Sequence, residues 1–124
     1  MAITILLVDD EVELLGALQV LLEDLGYHVL TAADGNSALA IAKEKQPDVM
    51  VLDINMPKKS GEDVLQELSG LGLKTKVIVS TGYTTRDQTM KDRVLKRFPV
   101  AAFLEKPTGA DEMDFVIKEV LQEK

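Results

Sequence analysis

Two hydrophobic rhythms alternate along the chain. Ile3 to Val8 is a short, continuous apolar run ended by acids, the pattern of a strand buried on both faces. A helical period follows, in which Leu14, Leu18, Leu21 and Leu25 recur at spacings of four, three and four, Leu15 and Leu22 widen the stripe, and Gly26 falls where a C-cap belongs. Tyr27 to Ala32 predicts a second strand, Asp34-Gly35-Asn36 a turn, and Ala38, Leu39, Ile41 and Ala42 a second helix that Gln46-Pro47-Asp48 stops. Val49 to Leu52 is again continuously apolar and ends in Asp53, with a loop running to Gly61. Val64, Leu65 and Leu68 mark a third helix before the Gly70–Gly72 turn, and Lys76 to Ser80 a fourth strand. The weakest helical stretch is Thr84 to Phe98, where Met90, Val94, Leu95 and Phe98 are apolar but nothing from Thr84 to Thr89 is. Ala101 to Leu104 predicts a fifth strand. Asp111 to Gln122 predicts a last helix presenting Met113, Val116, Ile117, Val120 and Leu121.

Five strand-then-helix units in strict alternation imply an α/β fold: a five-stranded parallel sheet, doubly wound in three layers, because parallel neighbours need crossover connections. In such a sheet ligands gather at the carboxyl ends of the strands. Those ends carry Asp9 and Asp10 after the first strand, Asp53 after the third, Thr81 after the fourth and Lys106 after the fifth. Carboxylates crowded into one notch repel, by roughly 4 kcal/mol per pair at ~4 Å and an effective dielectric of ~20. Lys106 supplies one compensating charge and a divalent cation would supply two; an all-oxygen, wet site favours Mg²⁺.

Composition narrows the chemistry. With 124 residues the expectation is a single domain over 1–124, and 46% hydrophobic residues suffice for an aliphatic core. The chain has no cysteine, which removes disulfides, thiolate metal sites and thiol nucleophiles. Its net charge of −7 repels nucleic-acid phosphates, so no direct nucleic-acid partner is expected. The apolar start lacks a basic leader and no stretch reaches the ~20 residues of a membrane span, so a cytoplasmic protein without membrane insertion is expected.

Leu7-Val8-Asp9-Asp10-Glu11, Val51-Leu52-Asp53-Ile54-Asn55-Met56-Pro57 with Gly61, Ser80-Thr81-Gly82 and Glu105-Lys106-Pro107 together resemble the response-regulator receiver domain of two-component signalling, in the chemotaxis-type, single-domain form. The resemblance runs from Ile3 to about Leu121 and would leave no room for an output domain. It implies a flavodoxin-like fold with strand order 2-1-3-4-5. It also implies that Asp53 accepts a phosphoryl group from a histidine kinase or a histidine phosphotransfer protein. Asp10, Asp53 and the Asn55 backbone carbonyl would hold Mg²⁺, with Asp9 reaching it through water, and Lys106 would contact the phosphoryl group, Pro107 holding that lysine by a cis bond. Thr81 and Phe103, where Tyr is common, would carry the switch to the surface of helix four, strand five and helix five, read by a downstream protein or output domain. Asn55 and Tyr83 would tune hydrolysis.

The segment around Arg97-Phe98-Pro99 departs from the family pattern, and the span from Thr81 to Lys106 is a few residues long, so a shifted fourth helix is expected. That helix carries five basic residues (Arg86, Lys91, Arg93, Lys96, Arg97) against Asp87 and Asp92, either a solvated face or a dock for an acidic partner. Lys58 and Lys59 read as solvated loop charges, and His28 as a mid-strand residue away from the acidic edge. Two rival functions compete with the receiver reading, one using the same aspartate and one the same fold. A Mg²⁺-dependent phosphohydrolase with an aspartate nucleophile would need a substrate cavity. A flavin mononucleotide carrier would need hydroxyls and glycine amides where Asp9-Asp10-Glu11 stand. The expected protein is therefore a phosphoacceptor switch rather than an enzyme.

Overall fold

The computed structural model describes residues 2–122 apart from 55, 57, 58, 83–87 and 107, with the side chains of 88–91 also outside the description. The elements are β1 (Thr4–Val8), α1 (Val12–Asp24), β2 (His28–Ala32), α2 (Gly35–Lys45), β3 (Val49–Asp53), α3 (Gly61–Ser69), β4 (Lys76–Thr81), α4 (Gln88–Arg97), β5 (Val100–Glu105) and α5 (Ala110–Gln122). All strand pairs are parallel and the sheet order is β2-β1-β3-β4-β5. Alternation within the strands divides the core in two. Leu6, Val8, Met50, Leu52, Val77 and Val79 face the layer that includes α2, α3 and α4, while Ile5, Leu7, Val49, Val51 and Ile78 face α1 and α5.

In α1 the buried stripe is Leu15, Leu18 and Leu22, while Leu21 and Leu25 are about half exposed. The predicted Leu14-Leu18-Leu21-Leu25 stripe is thus rotated by part of a turn. The helix is apolar around most of its circumference, Val12 and Val20 also lying on its outside, so periodicity alone did not select the inward face. It ends as foreseen at Gly26, whose φ of 102° is the left-handed position of a Schellman motif. Gly26 N–H donates to the Glu23 carbonyl and Tyr27 N–H to that of Leu22. Asp34, expected in a turn, instead caps α2: its carboxylate accepts from Ser37 N–H at 2.8 Å. Ser60 and Asp63 form a reciprocal capping box at the start of α3. His28 is the exposed first residue of β2 rather than a mid-strand one.

The fourth helix, as far as it is described, is fastened to α3. Arg93 donates to both carboxylate oxygens of Glu62, at 3.1 and 2.7 Å, and one turn later Arg97 donates to Gln66 at 3.0 Å while stacking over Phe98. Its described arginines therefore face a neighbouring helix, a use of the basic face that the sequence reading did not consider. Lys59 is likewise ion-paired, to Glu67, and not merely solvated. β5 carries an irregularity at its start. Val77 pairs with Val100 but Ile78 pairs with Ala102, an extra residue in the β5 strand. As such a bulge requires, Ala101 and Ala102 both pack toward α1 and α5.

Gly61 lets α3 start directly on the chain leaving β3. A Cβ there would lie 2.5 Å from Ile54 Cα and 2.8 Å from the Asp53 carbonyl oxygen, whereas one on Gly16, exposed in the middle of α1, would meet nothing within 4 Å. Gly61→Ala should destabilise by about 1–3 kcal/mol and Gly16→Ala stabilise by about 0.5–1 kcal/mol, read as opposite shifts in the urea midpoint.

Tyr27 ties the start of β2 to α5. Its hydroxyl donates to Asp114, which also pairs with Lys118 at 3.3 Å. Burial, then the hydrogen bond and charge of Asp114, push the phenol above its ordinary range. The Tyr27 hydrogen bond, opposed by burial and aided by Lys118, holds the Asp114 carboxyl below its own. A raised phenol stabilises the fold below its ordinary value of ~10, and a depressed carboxyl stabilises it above its ordinary ~3.9, so the pair contributes between about pH 4 and 10. Tyr27→Phe should lower stability by about 1–2 kcal/mol near neutrality. In denaturant titrations the gap to wild type should narrow as pH falls below ~4 and Asp114 protonates.

Candidate functional site

The strand ends expected to converge do converge. β1 and β3 are neighbours, Val8 pairing with Leu52, so the residues that follow, Asp9 and Asp53, end side by side. This is the point where strand order reverses, the place at which open α/β sheets bind ligands. Strand alternation puts Asp9 in line with Ile5 and Leu7, and Asp53 in line with Val49 and Val51, all on the α1 and α5 side. Asp9 and Asp53 are buried, Asp10 is exposed, and one carboxylate oxygen from each of the three lies within 4.8 Å of the others.

Lys106 reaches this cluster because its own backbone N–H donates to the Thr81 carbonyl at 3.0 Å, continuing the β4–β5 pairing past the strand end. Its ammonium lies 2.7 Å from an Asp9 oxygen and 3.3 Å from oxygens of both Asp53 and Glu11. Partial burial works against the charge, but the hydrogen bond to Asp9, the charges of Asp53 and Asp9 and the hydrogen bond to Asp53 outweigh it, holding the ammonium above the ordinary lysine range. Lys106 thus pairs with both buried acids of the cluster. Three hard oxygen donors within reach of a common point suit a divalent cation, so this donor set fits a metal ion.

Thr81 is fully buried at the end of β4 and, by strand alternation with Val77 and Val79, lies on the α4 side of the sheet. Half-buried Phe103 packs on that same side, opposite Val79. Asn55, Tyr83 and Pro107, to which sequence reading gave roles, lie outside the described residues. Glu11, quoted then only as part of a motif, is brought to Lys106. The available signal was its place before the first helical turn, where Glu is a poor cap. A hollow of about 30 Å³ lies on the α1 and α5 side of the sheet, lined by Leu14, Leu18 and Met113 as well as Asp9, Ser80 and Lys106. A cavity of about 250 Å³ lies at the opposite sheet edge, between Leu65, Leu68, Leu73, Val77 and Pro99, far from the acids. Among the described residues no helix is long and apolar enough to cross a membrane.

A family model described as the response regulator receiver domain matches residues 5–118. The transcriptional regulatory protein KdpE of Mycobacterium tuberculosis (strain CDC 1551 / Oshkosh) is 41% identical over 108 residues, 87% of this chain and 46% of that protein. The alkaline phosphatase synthesis transcriptional regulatory protein PhoP of Bacillus subtilis (strain 168) is 34% identical over 119 residues, 95% of this chain and 48% of that protein. A receiver domain protein from Clostridium thermocellum superposes with a TM-score of 0.85 at 32% identity, covering 96% of this chain and 94% of that one. The chain spans about half the length of these two curated relatives, and both are transcriptional regulators. The expectation of a chemotaxis-type, single-domain regulator is therefore narrower than the likeness found. Sheet order, the acid and lysine cluster at the switch point and the match over residues 5–118 agree that the chain belongs to the response regulator receiver domain family, whose members regulate rather than catalyse.

Proposed function

We propose that this chain is a receiver unit spanning residues 1–124, working in the cytoplasm as a phosphorylation-controlled switch of a two-component system or phosphorelay. The observation that carries the proposal is the meeting of Asp9, Asp10, Asp53 and Lys106 at one sheet edge. Asp53 is the acceptor. Its carboxylate oxygen forms a bond to phosphorus as the bond from phosphorus to the donor nitrogen breaks, the imidazole of a histidine kinase or histidine phosphotransfer protein being the leaving group. Water later cleaves the acyl phosphate and releases inorganic phosphate. Both steps belong to the domain's own chemistry, with Asn55 and Tyr83 tuning the second.

Lys106 contacts a phosphoryl oxygen and offsets charge that builds during transfer. Asp10, Asp53 and the Asn55 carbonyl would hold Mg²⁺, with Asp9 acting through water. The ion supplies charge neutralisation and in-line alignment when bound. Phosphorylation then adds charge and strong acceptor oxygens next to a buried hydroxyl, Thr81. Thr81 and Phe103 share one side of the sheet with α4, which supports a route from the acceptor to the surface of α4, β5 and α5. Phe103 has no hydroxyl, so the coupling rests on apolar packing. A downstream protein, or an output domain such as the curated relatives' extra length allows, reads that surface. The family match over residues 5–118 favours this reading over a phosphohydrolase.

With acetyl phosphate and Mg²⁺, intact-mass measurement should show one phosphoryl group added to wild type and none to Asp53→Asn. An equal gain in both rejects Asp53 as acceptor. Mg²⁺ at ten times its dissociation constant should stabilise wild type by about 1.4 kcal/mol, and Asp10→Asn should lose most of that gain in thermal melts.

A further inference from the structure

Glu11 stands at the N-cap of α1, with extended backbone angles of −84° and 91°. Residues favoured there turn a side-chain oxygen back to a free amide of the first turn. Glu11 makes no such bond. Its backbone N–H instead donates to Asp9 at 2.9 Å, and its carboxylate reaches across to Lys106 at 3.3 Å. Lys106 thus has three carboxylate neighbours of two kinds. Asp9 and Asp53 belong to the oxygen cluster that suits a divalent cation, whereas Glu11 does not. A cation engaging the cluster competes with the ammonium for those two carboxylates and repels it, which loosens the hold on a long flexible lysine. Only the Glu11 pairing is left untouched among these three.

We propose that Glu11 is a positioning residue that keeps the Lys106 ammonium at the mouth of the acidic notch while a divalent cation engages Asp9 and Asp53. The lysine then meets an incoming phosphoryl group from a held position. The sequence has sacrificed a helix cap to do this, the local inconsistency expected where function overrides folding preference. The inference rests on the proposed role of Lys106 toward a phosphoryl group.

The test compares wild type, Glu11→Gln, Glu11→Ser, Lys106→Met and the Glu11→Gln/Lys106→Met double variant. With saturating Mg²⁺, acylation of the Lys106 amine, followed by peptide mass mapping, should quicken about 2- to 5-fold in Glu11→Gln, the size of a partly exposed ion pair. Other lysines should keep their rates. Phosphorylation by acetyl phosphate should slow by about 2- to 5-fold in Glu11→Gln and by no further factor when the same change is made in Lys106→Met. Glu11→Ser, which restores a cap, should melt a few degrees higher yet share the slower phosphorylation. Unchanged Lys106 acylation overturns the proposal, and so does an equal loss in the Lys106→Met background, which would make Glu11 a through-space charge. If wild type takes up no phosphoryl group, the receiver reading fails, while the acylation measurement still decides whether Glu11 holds the lysine.

Discussion

Mutual repulsion among carboxylates at one sheet edge is the constraint around which this molecule is arranged. Asp9 and Asp53 end adjacent strands and are buried, so neither can move away from the other without unpairing β1 from β3. Lys106 answers that repulsion from a third strand, and its own position depends on the ladder between β4 and β5 continuing to its amide. The chemistry of the site and the alignment of four strands are thereby the same problem. A residue that keeps its charge against partial burial, as this lysine does, shows which effect wins: nearby opposite charge exceeds desolvation.

The two faces of the sheet divide the labour. The acids emerge on the face lined by α1 and α5, while Thr81 and Phe103 lie on the face lined by α2, α3 and α4. On that second face α4 is held differently from its neighbours. Val94 and Phe98 bury its described inner side, and two arginine contacts one turn apart join it to α3. Exposed polar contacts are individually weak and sensitive to salt, so this fastening of α4 to α3 is one that ionic strength loosens.

How much of this was legible in the sequence depended on whether a residue's role was local. The strands could be read because continuous β-branched runs ending in polar residues have few other uses, and their ends located the acids and the lysine. Gly26 was legible for the same reason. The inward face of α1 was not, since leucine and valine occupy several sides and only tertiary packing chooses among them. The Ser60–Asp63 box was present as a spacing but passed for loop polarity. The pairings of Lys59, Arg93 and Glu11 were not legible because their partners lie 8, 31 and 95 residues away. Periodicity carries no information about such pairings.

The added residue in β5 sits near the beginning of that strand, before Ala102. Beyond it the pairing runs undisturbed from Ile78–Ala102 to Thr81–Glu105. The strand therefore works as an expansion joint: one unpaired residue is accommodated at its start, and the other end still delivers Lys106 in step. A lineage can lengthen, trim or restyle that stretch to suit a new listener without retuning the acid pocket, which separates the evolution of what the domain says from the evolution of how it is set.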